Sequence, residues 1–389
     1  MNDIGARIRG ERDAGVALCV RCIMDTSDPE IVFDERGICN HCKQYDARVT
    51  AEIAPSDERE RKLEALVEEI RRASRGKDYD CIIGVSGGVD STMVAYTVKE
   101  LGLRPLAVHF DNGWNSELAV SNIEKTLKAL DIDLRTYVAD WDEFRSIQLA
   151  LFKSGVANIE VVTDHAIMAL LFRTASNEGV KYVISGGNIA TESVMPESWM
   201  YDNRDLRHIT AINRLFGEKR IRSLPRCSLA RYFYYFFIRR IKYVPILNYV
   251  TYDKQAAKKL IQEKLGWRDY GGKHYESIFT RFFQAYFLPR RFNIDKRRAH
   301  LSSLILAGQI SREEALLDVE KPLHDAETER SDLEFFRKKM RLSEKEFSEI
   351  MNIPKRTHRD YPSNRFVFER HDGWVIRFVK RIVRPRALQ

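Results

Sequence analysis

"CIIGVSGGVDSTMVAY", residues 81–96, runs from the apolar stretch Cys81 to Val85 directly into Ser86-Gly87-Gly88-Val89-Asp90-Ser91. Adjacent glycines let a backbone turn tightly, so that successive N–H groups converge on one point. The helical pattern after them adds its positive end, which makes a phosphate the natural occupant. Ser86 and Ser91 can donate further hydrogen bonds. A Walker-type loop would need G-x4-G-K-[ST], and no such string occurs; Lys273, after "YGG", is followed by His274.

Strand and helix patterns alternate outward from this loop. Upstream, "SDERERKLEALVEEIRRASRGK" predicts a helix opening near Ser56 and stopping at Gly76. Downstream come "PLAVHF" (strand), "ELAVSNIEKTLKAL" (helix), "LRTYVA" (strand), "DHAIMALLFRTASNEG" (helix) and "KYVIS" (strand). Such βαβ repetition predicts an α/β fold, a doubly wound parallel sheet with ligands at the carboxyl ends of its strands. From about residue 190 the alternation stops. "SLARYFYYFFIRRIKYVPILNYV" (228–250) reads as a helix buried against the main domain, with a membrane-surface or partner-docking role as the alternative; Arg239, Arg240 and Lys242 exclude a spanning helix. The remainder reads as helical and charged, ending in the basic tail "VIRFVKRIVRPRALQ".

The 389 residues carry a net charge of +8, with 44% hydrophobic and 31% charged residues. No apolar run approaches the ~20 residues of a membrane span, and "MNDIGARIRGERDAG" lacks a secretory core, so a cytoplasmic protein is expected. The positive balance suits nucleic acid or acidic, phosphorylated substrates.

Four of the six cysteines, Cys19, Cys22, Cys39 and Cys42, have the spacing C-x2-C-x16-C-x2-C. Each C-x2-C knuckle presents two thiolates on one side of the backbone, and two knuckles complete a tetrahedron around zinc. Four thiolates leave no open position, so the zinc is expected to be structural. A short hairpin is expected between the knuckles, turning near Gly37, with His41 exposed rather than ligating. The expected organisation is a zinc ribbon over 1–50, a nucleotide domain over 51–253 with an aromatic and basic insertion at about 190–250, and a helical region over 254–389 completing the substrate site.

SGGVDS after a strand resembles the PP-loop of the N-type ATP pyrophosphatases, whose sheet is of the adenine-nucleotide α-hydrolase kind. The resemblance implies that Ser86, Gly87, Gly88, Asp90 and Ser91 grip the pyrophosphate end of ATP, directing attack to the α-phosphorus. "FDNGW" after the second strand offers Asp111 and Asn112 as nucleotide contacts. "SGGNIATES" (185–193) resembles the GxxN…E segment of NAD synthetases. By that likeness Asp90 and Glu192 hold Mg²⁺, while Gly187 and Asn188 touch nucleotide or substrate.

Outside the ribbon only Cys81 and Cys227 remain, with no pair for persulfide chemistry. The sequence also carries no glutaminase nucleophile, so nitrogen from a separate glutaminase is the expected incoming atom. The four-cysteine ribbon, SGGVDS, "SGGNIATES" and the segment 265–316 together resemble the N-acetyl sugar amidotransferases of bacterial O-antigen and flagellar-glycan pathways, the WbpG and PseA type. That resemblance implies conversion of an acetamido group on a nucleotide-linked sugar to an acetamidino group. Ammonia would come from a glutaminase of the histidine-biosynthesis type, in some members with a cyclase-like companion. Lys296 and Arg297 of "DKRRAH" are the cations expected to stabilise departing pyrophosphate. Lys273, His274 and Glu276 of "GGKHYES" are expected near the sugar or the ammonia. Nucleic acid is not expected as a partner; a tRNA-modifying PP-loop enzyme is the alternative reading.

Overall fold

The computed structural model describes residues 17–272 and 275–364. The basic tail, Lys273 and His274 lie outside them. Five strands form one wholly parallel sheet in the order β3-β2-β1-β4-β5.

Helices α1 (Asn40–Glu52) and α2 (Ser56–Ala73) precede β1 (Cys81–Gly84). Then follow α3 (Val89–Glu100), β2 (Pro105–Asp111), α4 (Glu117–Ala129), β3 (Asp133–Val138), α5 (Trp141–Lys153), α6 (Val161–Asn177) and β4 (Tyr182–Ser185). The two-residue period of a strand sorts the apolar side chains onto the two faces. Ile82, Leu106, Val108 and Val183 join the core under α5 and α6, whereas Cys81, Ile83, Ala107 and Ile184 join the core under α2, α3 and α4. Near-continuous burial along β1 and β2 is what a parallel sheet covered on both sides demands. Helix α5, absent from the sequence reading, is opened by Asp140, whose carboxylate accepts the Glu143 N–H at 2.8 Å.

The alternation does not end at residue 190. After α7 (Ile189–Glu192) and α8 (Leu206–Phe216), the aromatic stretch makes α9 (Leu229–Phe233), a wide π turn over Tyr234–Ile238, and then β5 (Lys242–Pro245). Tyr232, Tyr235 and Phe236 pack on Phe172 at 5.7, 5.8 and 5.1 Å between ring centroids. The helical spacing therefore holds for two turns only. Arg240, at φ 55°, reverses the chain, and β5 pairs with β4 as an edge strand.

Helix α10 (Lys254–Leu265) returns to the α3 side, burying Ala257, Ile261 and Leu265. Beyond it follow α11 (Ile278–Phe282), a π segment (Phe283–Phe292), α12 (Lys296–Leu306), α13 (Arg312–Glu320), α14 (Ala326–Met340) and α15 (Glu344–Met351). Their aromatic residues merge with the α5–α6 core: Phe282 stacks on Phe336 at 4.0 Å, and Phe152 meets Phe287 at 5.3 Å. Among the described residues no helix is long and apolar enough to cross a membrane.

Candidate active site

β1 continues outward to β2 and β3 on one side, and β4 and β5 lie on the other. The order reverses between β1 and β4, and the loops leaving their carboxyl ends face one crevice, where open α/β sheets take their ligands. SGGVDS leaves β1 and SGGNIATE leaves β4, so the topology unites the two motifs.

Gly87 has φ +81°, and a Cβ there would lie 2.5 Å from the Ala119 carbonyl oxygen on α4. Backbone conformation and space both require glycine. A Cβ on Gly88 would come within 3.0–3.2 Å of Glu276 Oε1, Ser86 Oγ and the Tyr270 hydroxyl. Ser86 Oγ accepts the Gly88 N–H at 3.2 Å, the Ser86 N–H donates to Ser91 Oγ at 3.3 Å, and Ser91 Oγ donates to the Gly88 carbonyl at 3.1 Å. The Val89 N–H donates to the Tyr270 hydroxyl at 3.3 Å. The loop is thus a preformed cradle at the amino end of a twelve-residue helix.

The opposite wall is set by Asn188, which caps α7 by accepting the Thr191 N–H at 2.9 Å and donates to the Gly186 carbonyl at 3.1 Å. Between the walls lies a cleft of about 230 Å³ that gathers Asp90, Glu192, Glu276, Lys254 and Lys258. Tyr252 donates its hydroxyl to Asp90. Burial and the neighbouring Asp90 carboxylate push the Tyr252 phenol far above its ordinary range; burial and Glu276 do the same to Tyr270. Both phenols therefore stay protonated beside the carboxylates. Mg²⁺ is usually held by one or two carboxylates plus substrate phosphates. Asp90 and Glu192 beside a phosphate cradle fit that pattern.

The sequence-derived candidates divide by where they fall. Ser86, Gly88, Asp90, Ser91, Gly187, Glu192 and Glu276 line the cleft. Glu276 reaches the loop itself, its Oε1 accepting from Ser86 Oγ at 3.3 Å. Asp111 and Asn112 instead build the β2 exit: Asp111 Oδ1 accepts the Gly113 N–H at 2.8 Å and Asn112 Oδ1 the Trp114 N–H at 3.1 Å. Lys296 is buried with its ammonium over the Phe283 ring. Arg297 binds Asp295 at 2.7 Å and the carbonyls of Asp318, Val319 and Lys321 at 3.0, 3.0 and 2.8 Å, which clamps the end of α13 rather than facing the cleft. The cations that do line the cleft, Lys254 and Lys258, were missed. They sit four apart on α10, and that spacing on one helix face was the available signal. Lys258 is held by Asp269 at 2.7 Å. Cys81 and Cys227 are both fully buried; burial raises both thiols, Cys227 to about 12.

Residues 276–375 match the family model described as LPS biosynthesis protein WbpG-like, C-terminal domain. The chain carries a WbpG-like C-terminal domain. A segment of 89 residues, 23% of this chain, is 42% identical to the GMP synthase (glutamine-hydrolyzing) of Pyrobaculum aerophilum and spans only 16% of that relative's length. Among solved structures, the NH3-dependent NAD synthetase of Campylobacter jejuni shares 16% identity at a TM-score of 0.29, over 40% of this chain and 72% of its own. A predicted subunit of tRNA methyltransferase from Methanocaldococcus jannaschii shares 14% at a TM-score of 0.25, over 47% of this chain and 76% of its own.

The WbpG-like domain begins at Glu276, and its α12 packs against α7, where Ser303 Oγ accepts the Val194 N–H at 3.0 Å. The same helix holds the ribbon. Ser302 Oγ accepts the Ile23 N–H at 3.2 Å, and Arg298 reaches Asp25 at 3.0 Å. From α13, Arg312 donates to the carbonyls of Cys22 and Cys19, each at 3.0 Å. The four sulfurs lie within 4.8 Å of one another, with closest separations of 3.7–3.8 Å. Disulfides need ~2.05 Å. Tetrahedral ligands at ~2.3 Å from zinc would stand ~3.8 Å apart, so the cluster fits zinc as built. Gly37 turns the intervening hairpin at φ +76°. His41, expected at the surface, is buried and bonds Asp28 at 2.7 Å; Asp28 also accepts from Ser198 Oγ at 3.0 Å, so the pair fastens the ribbon to the main body.

Proposed function

We propose that the chain is the synthetase subunit of an ATP-dependent amidotransferase that converts an acetamido group of a nucleotide-linked sugar into an acetamidino group, in bacterial surface-glycan biosynthesis. The observation that carries this reading is the contact of Glu276, the first residue of the WbpG-like domain, with Ser86 of the PP-loop. That contact brings the domain associated with surface-polysaccharide synthesis onto the loop that would bind ATP.

An amide carbon is too poor an electrophile for ammonia. Attack by the acetamido oxygen on the α-phosphorus of ATP forms the O–P bond and expels pyrophosphate. Ammonia adds to the imidate carbon, AMP leaves with the former amide oxygen, and the amidine remains. In this chain the Gly87–Val89 backbone and Ser91 would cradle the pyrophosphate, with Lys254 and Lys258 facing its developing charge. Asp90 and Glu192 would hold Mg²⁺, which neutralises phosphate charge when bound. Gly187 and Asn188 shape the facing wall, and Lys273 and His274 remain candidates for the sugar. With both remaining thiols buried and protonated, ammonia from a separate glutaminase of the histidine-biosynthesis type is the consistent donor.

Incubation with ATP, Mg²⁺, ammonium and a panel of nucleotide-linked diacetamido sugars should release AMP and yield a product with one oxygen replaced by NH. AMP formation that needs tRNA and ignores every sugar would refute the proposal.

A further inference from the structure

From Lys219 to Tyr252 the sequence carries eight lysine and arginine side chains and no aspartate or glutamate. The structure gives this run two faces. Tyr232, Tyr235 and Phe236 turn inward onto Phe172. Phe233, Tyr234 and Ile238 turn outward and are 53%, 42% and 65% exposed, with Phe237 against Phe233 at 4.5 Å. Ile238 also borders a second cleft whose cations are Lys181, Arg239 and Arg240. Lys77 reaches the same place through the Gly179 carbonyl, and burial together with Lys181 and Arg239 holds its ammonium below the usual range.

We propose that this face, Phe233 to Arg240 with Lys181, docks the protein onto an anionic lipid bilayer. Exposed aromatic and aliphatic tips flanked by cations suit the boundary between headgroups and acyl chains. Lys219 and Lys242 of this run pair with Asp142 and Glu69, and the positive sign where Lys181, Arg239 and Arg240 border the outward aromatic tips calls for a negative partner there. A lipid surface is that partner, whereas a protein interface pairs both signs. The geometry also leaves the chemistry free. Lys77 and Lys181 precede β1 and β4, so the docking face lies at the amino ends of the strands, and the candidate active-site cleft opens at their carboxyl ends. A chain seated this way keeps that cleft open to soluble substrates.

The test is sedimentation of the full chain with vesicles of phosphatidylcholine alone or containing phosphatidylglycerol. Binding is expected only with phosphatidylglycerol, and it should weaken steeply with salt. Lys181→Glu with Arg240→Asn should lower the affinity by roughly tenfold or more, asparagine being suited to the left-handed backbone at 240. Phe233→Ser with Ile238→Ser should lower it comparably at low salt. Melting midpoints matching the parent will show that the variants fold, and AMP formation in solution should be unchanged. The proposal fails if the folded parent does not sediment with anionic vesicles. It fails equally if both double variants bind as the parent does, including the case in which they lose only a soluble protein partner.

Discussion

Gly87 is the residue with least freedom in the candidate site. Gly87→Ala would add strain of about 1–2 kcal/mol at a positive φ, together with a backbone clash. In thermal melts it should abolish the upward shift that ATP with Mg²⁺ is expected to give the parent, and lower the unliganded midpoint by a few degrees. Asp90 depends on the hydroxyl of a buried tyrosine; removing it in Tyr252→Phe should cut AMP formation about tenfold, because hydrogen bonds to charged groups contribute ~1.5–3 kcal/mol. An undiminished rate would show that Asp90 needs no such support. His208, on α8, titrates away from the cleft. It is 2% exposed, neither ring nitrogen has a partner among the described residues, and burial lowers it to about 4. The unfolded chain takes up this proton near pH ~6.5 and the folded chain only near 4, so the stability is complete above ~6.5 and declines as pH falls towards 4. His208→Phe, keeping a ring in edge-on contact with Tyr201 and Tyr361, should flatten the fall in melting midpoint between pH ~6.5 and ~5. A slope equal to the parent's would assign that fall to other groups.

At the scale of elements, α12 is the link between ribbon and cleft: one side carries Ser302 to Ile23, the next residue carries Ser303 to Val194. Cys39→Ser should therefore do two things, namely lose zinc in metal analysis and lower AMP formation through displacement of the Gly186–Glu192 loop. Arg312→Ala removes two charge-assisted bonds to knuckle carbonyls and should cost about 1–3 kcal/mol while zinc is retained. Legibility followed how local each signal was. The β1-loop-α3 unit was readable because glycines, hydroxyls and an apolar strand lie within sixteen consecutive residues. β5 was not, because an edge strand of four residues follows an aromatic helix without a polar break, and both need the same side chains. His41 looked exposed because its partner, Asp28, lies across the hairpin. "DKRRAH" looked like a cationic site, but Asp295 and the end of α13 hold Arg297. Lys254 and Lys258 read as the outer face of an ordinary helix, because only the tertiary packing of α10 brings them to the SGGVDS loop.

Over the whole molecule, the WbpG-like region is a layer of the core rather than an appendage. Its aromatic face buries Phe282, Phe287 and Phe336 against Trp114 and Phe152, and the Arg281–Asp332 ion pair joins α11 to α14 at 2.6 Å. Residues 276–389 expressed alone should lack a cooperative thermal transition, since the aromatic face that packs on Trp114 and Phe152 would be exposed to water. A cooperative melt of the fragment would show the layer to be an independent domain.

The fastening of the ribbon by Ser302 and Arg312 also has a consequence for the order of synthesis. The contacts join residues 279 to 293 positions apart, so the cysteines leave the ribosome long before the residues that cover them exist. At roughly 5–20 residues per second, that interval is on the order of 15–60 s. During it the four thiols lack the contacts from Ser302 and Arg312 that later enclose the knuckles, so a metal taken up while the chain is still growing would be held by the ribbon alone.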